Sequence, residues 1–239
     1  GHLAAAAAAM AGMGGAPAGA AIVTSGLVTP DPSSGSVTGS LNVGTSGAGA
    51  LTVDAGSSLV AQRLNVAADR GVTGSVVISG PGSSMTADVG AVGNFFNTNI
   101  GSQGVGSLSV LNGASFVNGA DDAECQLRCR LKISNAAGSD GRLLVLGAGS
   151  SLRTVGEVHV GWTARFTTAV AGFDYGAVGG ATQGRATVEA GGRSDSSLVA
   201  IGQRDLSSEV RDSDTSSGQV VIDGIGSVWN IVRNAALAG

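Results

Sequence analysis

Lysine is almost missing from this chain: Lys132 is the only one in 239 residues. Lys and Arg together number 13 against 17 Asp and Glu, a formal charge of −4. No basic stripe runs along the sequence, which argues against nucleic acid as a partner and against holding polyanions or anionic membranes by general electrostatics. Charged residues make up 13% and aromatic residues 3%, where an ordinary soluble domain carries about 25% charged residues. No apolar run reaches the roughly 18 residues that a membrane-spanning helix requires. Residues 3–21 are nearly all Ala and Gly, and the first basic side chain is Arg63, so a basic signal-peptide n-region is lacking. Residues 1–18 read either as a short helical cap, since alanine favours helix, or as a disordered or partner-bound leader. Cysteine is scarce too: Cys125 and Cys129 stand alone in Cys-Gln-Leu-Arg-Cys. With only His2 and His159 to join them, zinc has too few ligands. A local disulfide fits an oxidising compartment; two free thiols are the alternative.

Glycine abounds, at 41 residues, with Ala, Val, Ser and Thr supplying most of the rest. Glycine at every third position would mean collagen, and that period is absent. A hydrophobic content of 43% is too high for a chain kept disordered by low hydrophobicity. Stacked β-structure remains.

Internal repeats support it. Gly-x-apolar-x-Val/Ile occurs as Gly49-Ala-Leu-Thr-Val53, Gly74-Ser-Val-Val-Ile78, Gly106-Ser-Leu-Ser-Val110, Gly141-Arg-Leu-Leu-Val145, Gly184-Arg-Ala-Thr-Val188 and Gly218-Gln-Val-Val-Ile222, with a weaker copy at Gly19-Ala-Ala-Ile-Val23. Each clear copy alternates as a strand does. A second element comes next: Gly56-Ser-Ser-Leu59, Gly82-Ser-Ser-Met85, Gly113-Ala-Ser-Phe116, Gly149-Ser-Ser-Leu152 and Gly226-Ser-Val-Trp229. Glycine makes a corner there and serine satisfies local backbone groups. The fifth copy departs, as Gly192-Arg-Ser-Asp195. A third element reads Leu41-Asn-Val-Gly44, Leu64-Asn-Val-Ala67, Asn99-Ile-Gly101, Leu131-Lys-Ile133, Val158-His-Val-Gly161, Val199-Ala-Ile-Gly202 and Ala236-Leu-Ala-Gly239.

Three short strands between glycine corners describe one coil of a solenoid, in which each coil contacts only its neighbours. The chain therefore reads as all-β: a right-handed parallel β-helix of about seven coils over residues 19–239. Insertions near 86–98, 117–130, 162–183 and 203–217 project from its corners. The pattern Gly-x-Leu-x-Val-x-x-Gly-Ser-x-Leu, followed by Leu-x-Val-Gly, resembles the passenger repeats of autotransporters, the Gram-negative type V secretion family. Gly218-Gln-Val-Val-Ile-Asp-Gly-Ile-Gly-Ser-Val-Trp229 matches it best. The resemblance implies export to the bacterial surface, a β-helical passenger and adhesive roles. That family's C-terminal barrel, with its alternating strands and aromatic girdles, is missing from these residues.

Chemistry-bearing residues are few. His159 occupies the third-element slot held by Asn42, Asn65 and Lys132, an outward position, and is expected at the surface. The carboxylates at Asp121, Asp122 and Glu124, and at Asp205, Glu209, Asp212 and Asp214, fall in insertions, and neither group matches a calcium loop. Asp54, Glu189 and Asp223 share one repeat position and are expected to form an outward corner ladder. Phe116 is expected in the core, and Trp229 faces either way. Phe95, Phe96, Trp162, Phe166, Phe173 and Tyr175 sit in insertions; they either pin the loops to the body or contact a partner.

These features predict a non-enzymatic extracellular structural or adhesive module with no cofactor. Its partners would be a host or neighbouring cell surface, matrix or carbohydrate. Alternatives are a carbohydrate-active β-helix enzyme, a calcium-dependent binding module and a head-to-tail filament subunit. The ends bear on the last. Open coils present unpaired backbone groups, so either the natural chain continues past Gly239 or the exposed end meets another copy.

Overall fold

The computed structural model describes residues 21–87, 97–119, 125, 129–136, 138–162, 181–202 and 215–231. They form nineteen strands, numbered β1 to β19 in chain order. The Gly-x-apolar-x-Val/Ile segments, rich in small and β-branched residues suited to a pleated surface, become the leading strands. These are β4 (Gly49–Asp54), β6 (Thr73–Ser79), β9 (Val105–Leu111), β12 (Asp140–Leu146), β15 (Ala181–Glu189) and β18 (Thr215–Asp223). They lie side by side in one sheet, every pair parallel. Registers align the repeats residue for residue. Leu51, Val76, Leu108, Leu143, Ala186 and Val220 make one inward column, and Val53, Ile78, Val110, Val145, Val188 and Ile222 the next. Both columns are buried as far as β15, whereas Ile222 in the outermost strand is 50% exposed.

The second and third elements share a twelve-stranded sheet with two arms that diverge from β5 (Ser58–Val66). One arm runs through β7 (Ser84–Ala87), β10 (Ser115–Asn118), β13 (Ser151–Thr154), β16 (Arg193–Ser196) and β19 (Val228–Ile231). The other runs through β8 (Asn97–Ile100), β11 (Arg130–Ile133), β14 (Glu157–Val160) and β17 (Leu198–Ile201). These pairs are parallel as well. A single apolar cluster joins the inner faces of both sheets, with Leu51 and Val145 from one, and Phe116, Leu64 and Val158 from the other. Phe116 is fully buried, as expected. Trp229 turns inward, and its Nε1–H donates to Ser196 Oγ at 3.0 Å.

The motif residues have identifiable work in this packing. A β-carbon on Gly141 would overlap the carbonyl of Ile100 and the amide of Ser134, and one on Gly184 would overlap the Gly161 amide. The leading strand starts against the end of a third strand, and only glycine fits there. The corner serines bind between neighbouring repeats. Ser83 Oγ accepts the Gly56 N–H at 3.0 Å, Ser150 Oγ the Gly113 N–H at 3.0 Å, and Ser227 Oγ the Gly191 N–H at 3.1 Å. Ser150 also donates to Leu146 O at 2.7 Å, closing its own turn.

Four expectations need correction. The weaker copy ending at Val23 is not another parallel layer: β1 (Ala21–Gly26) runs antiparallel to β4. β2 (Val28–Thr29) likewise runs antiparallel to β3 (Ser36–Val43), so the parallel stack has six leading strands among the described residues. In the shortest repeat the second and third strands are one, because no glycine interrupts Ser58–Val66. The fifth corner turns at Gly191 (φ +84) rather than Gly192, which puts Ser194 in the column of Leu59, Met85, Phe116 and Leu152. Finally, Glu189 and Asp223 are neighbours in register, but Leu146, Leu111 and Ser79 stand between them and Asp54, so no continuous carboxylate ladder forms. The stretch 236–239 lies outside the described residues.

An unpaired carboxylate in an inner column has no partner and no water. Val145→Asp should cost about 3 kcal/mol or more, whereas Leu144→Asp, one residue along on the outer face, should stay within about 0.5 kcal/mol. Urea unfolding midpoints of the two variants check the facing of β12.

Candidate functional site

The outward column of the third strands begins as an amide ladder. Asn65 Nδ2–H donates to Asn42 Oδ1 at 3.0 Å, and Asn99 Nδ2–H donates to Asn65 Oδ1 at 2.9 Å. Register then brings Lys132, His159 and Ala200 into the same line. The chain leaves β14 through Gly161 (φ +67), and Trp162 folds back across this column, its amide donating to Ser134 O at 3.3 Å. The indole lies 4.0 Å from Lys132 Nζ, 5.9 Å from the Arg130 guanidinium carbon and 4.7 Å from the His159 ring. Cations over an indole face are attracted by its quadrupole, by about 0.5–2 kcal/mol.

His159 is therefore a correction. Its slot does face outward, but the residue is 5% exposed, and the chain's single lysine beside it is 3% exposed. The strand pattern assigns a slot; it does not show that a tryptophan two residues beyond the strand covers it. Glu157 completes the cluster. Its Oε2 lies 2.9 Å from His159 Nε2 and 3.0 Å from Arg130 Nε. An ionised carboxylate only accepts, so Nε2 carries the proton. The hydrogen bond from His159, with Arg130 nearby, holds the Glu157 carboxyl below its ordinary value despite partial burial. These contacts make Trp162 a pin that fastens the chain after β14 to the body. Glu157 and Arg130 lie outside the repeat motif and carry no signal in it, although Glu157 and His159 stand two apart on one strand and so share a face.

Cys125 and Cys129 are disulfide-bonded, with Cα atoms 4.7 Å apart, and pack with Val155. Gly119 (φ +102) leaves room for them, since a β-carbon there would collide with Cys125 Sγ. Phe95, Phe96, Phe166, Phe173 and Tyr175 lie outside the described residues, as do both insertion carboxylate clusters. Among the described residues no group of three or more His, Cys, Asp or Glu is placed to hold a metal. Nor do the described residues include a helix long and apolar enough to cross a membrane.

A second polar surface lies on the outer face of the leading-strand sheet. On β9, β12, β15 and β18 the position after the leading glycine forms a cross-strand row of Ser107, Arg142, Arg185 and Gln219. Arg142 grips Asp140 with two bonds, Nη2 to Oδ2 at 2.7 Å and Nε to Oδ1 at 3.2 Å. This row is legible in the aligned motifs, where the last four residues of the same column read Ser, Arg, Arg, Gln. Comparison with family models, with curated proteins and with solved structures gave no match to this chain.

A carboxyl whose folded-state pKa is lowered contributes stability that is complete above its unfolded value and is lost as pH falls through the folded value. Glu157→Gln should therefore be less stable than the parent near neutrality, with the gap closing as pH drops below the ordinary carboxyl value of about 4.5. A gap that persists in acid would mean that packing, not charge, was lost. The disulfide closes a short loop, with a sequence separation of 4. Its removal by Cys125→Ser with Cys129→Ser should cost about 2 kcal/mol. Thiol titration of the native chain should find neither sulfur free.

Proposed function

We propose that this chain is a β-helix serving as a non-enzymatic structural or adhesive module on a bacterial surface, of the kind its repeats resemble in autotransporter passengers. One observation carries this reading: the recurring motif residues are spent on stacking. Leading glycines give clearance, corner serines tie one coil to the next, and the paired apolar positions fill in-register columns. A sequence that repeats in order to stack builds a scaffold, and in solenoids the segments between the repeats carry recognition. The bonded cysteine pair fits an oxidising, extracellular setting.

The test is display of the chain on the surface of a non-adherent bacterium. Increased attachment to epithelial cells or to matrix-coated plates, relative to the empty carrier, supports the reading. Release of new chain ends from polygalacturonate, with or without calcium, without attachment would overturn it in favour of the polysaccharide-cleaving alternative.

A further inference from the structure

We infer that the outer face of the leading-strand sheet is a binding site for a neutral, linear polysaccharide lying across β9, β12, β15 and β18. The inference rests on the attachment reading and names what that face would attach to. Shape comes first: a depression of about 970 Å³ opens on this face, near the upper end of the range for pockets that hold small ligands. Its floor is regular. Ser107, Arg142, Arg185 and Gln219 stand in one cross-strand row, presenting a polar side chain about every 4.8 Å. Beside it runs a second row, Asp140, Gln183 and Ser217. A polymer laid across the strands meets these groups one after another.

Charge decides the ligand class. Two arginines, Arg142 and Arg185, share the depression with two carboxylates, Asp140 and Glu189. The formal charges cancel, and Arg142 is already bidentate to Asp140. No net field remains to concentrate a polyion. The guanidinium of Arg185 makes one hydrogen bond to the described residues, from Nε to Thr187 Oγ1 at 3.4 Å, so its terminal N–H groups are available. The amides of Gln183 and Gln219 offer both donors and acceptors, as does the hydroxyl of Ser107, while Ser217 Oγ, whose O–H donates to Thr182 O at 3.4 Å, adds an acceptor. A hydroxyl-rich chain also presents both at every unit, and a neutral one brings no charge for the balanced lining to compensate. Leu144, in register with Thr187 and Ser109, supplies an apolar patch for the C–H face of a sugar ring.

Calorimetry on the full chain tests this with xylohexaose, cellohexaose, laminarihexaose and maltohexaose as neutral probes, and with polygalacturonate as the acidic one. At least one neutral hexasaccharide should bind, and Arg185→Ala with Gln219→Ala should weaken it about tenfold or more. Arg193→Ala, on the outer face of β16 in the other sheet, should leave it within about twofold. All of these side chains are exposed, so the variants should keep the parent's unfolding midpoint. The site is refuted if no neutral probe binds, if polygalacturonate binds more tightly than all of them, or if the double variant binds like the parent. Attachment of displayed cells without oligosaccharide binding would sink this site alone. Oligosaccharide binding without attachment would sustain it and tell against the adhesive reading.

Discussion

Every residue in an in-register parallel stack sits beside its own equivalent in the next layer, about 4.8 Å away. That single constraint governs most of what is unusual in this chain. Like charges directly opposite each other repel, so charged residues are thinned to 13% of the sequence. Where arginines do become neighbours, at Arg142 and Arg185, Asp140 neutralises the first. Large rings would have to stack on large rings, so the inner columns run through Leu, Val, Ile and Ala, with Phe116 flanked by Met85 and Leu152. Amides are suited to self-stacking because each offers a donor and an acceptor, and Asn65 uses both, donating to Asn42 and accepting from Asn99.

The same constraint explains why the core is legible in the sequence. Alternation along a strand plus repetition between strands fixes which residues face inward and which ones touch, and the paired columns of the six leading strands result. Strand direction does not. Side chains alternate identically in parallel and antiparallel strands, so nothing in Ala21-Ile-Val23 announces that β1 reverses. The fused β5 is visible only as a missing glycine. The corner at Gly191 is obscured by the second glycine beside it. Ser194 then stands in an inner column with no hydrogen-bond partner for its Oγ among the described residues, a departure that the repeat pattern marks without explaining.

The two outer faces differ in how legible they are, for a physical reason. The row containing Arg142 and Arg185 depends only on register, which the repeat supplies. The Trp162 cluster depends on the path taken after β14, which the repeat does not encode. Lys132 and His159 look like surface residues until an indole from outside the motif covers them. Periodic sequence therefore describes the body of the molecule well and its ornaments poorly, and the ornaments are where one copy of a repeat stops resembling the next.

The reversed first strand makes the two ends of the described ladder unlike each other. Parallel ladders use evenly spaced, slanted hydrogen bonds, whereas antiparallel ladders alternate close and wide pairs. With β1 lying against β4, and β2 against β3, that extremity of the stack no longer offers the hydrogen-bond spacing a fresh parallel layer would copy. At the opposite extremity, β17, β18 and β19 keep the parallel pattern, and Ile201, Ile222 and Ile231 stand half-exposed there. Among the described residues the two ends of the ladder therefore differ in kind, as in a zipper stopped at one end: reversed strands close the first, while the last still runs parallel.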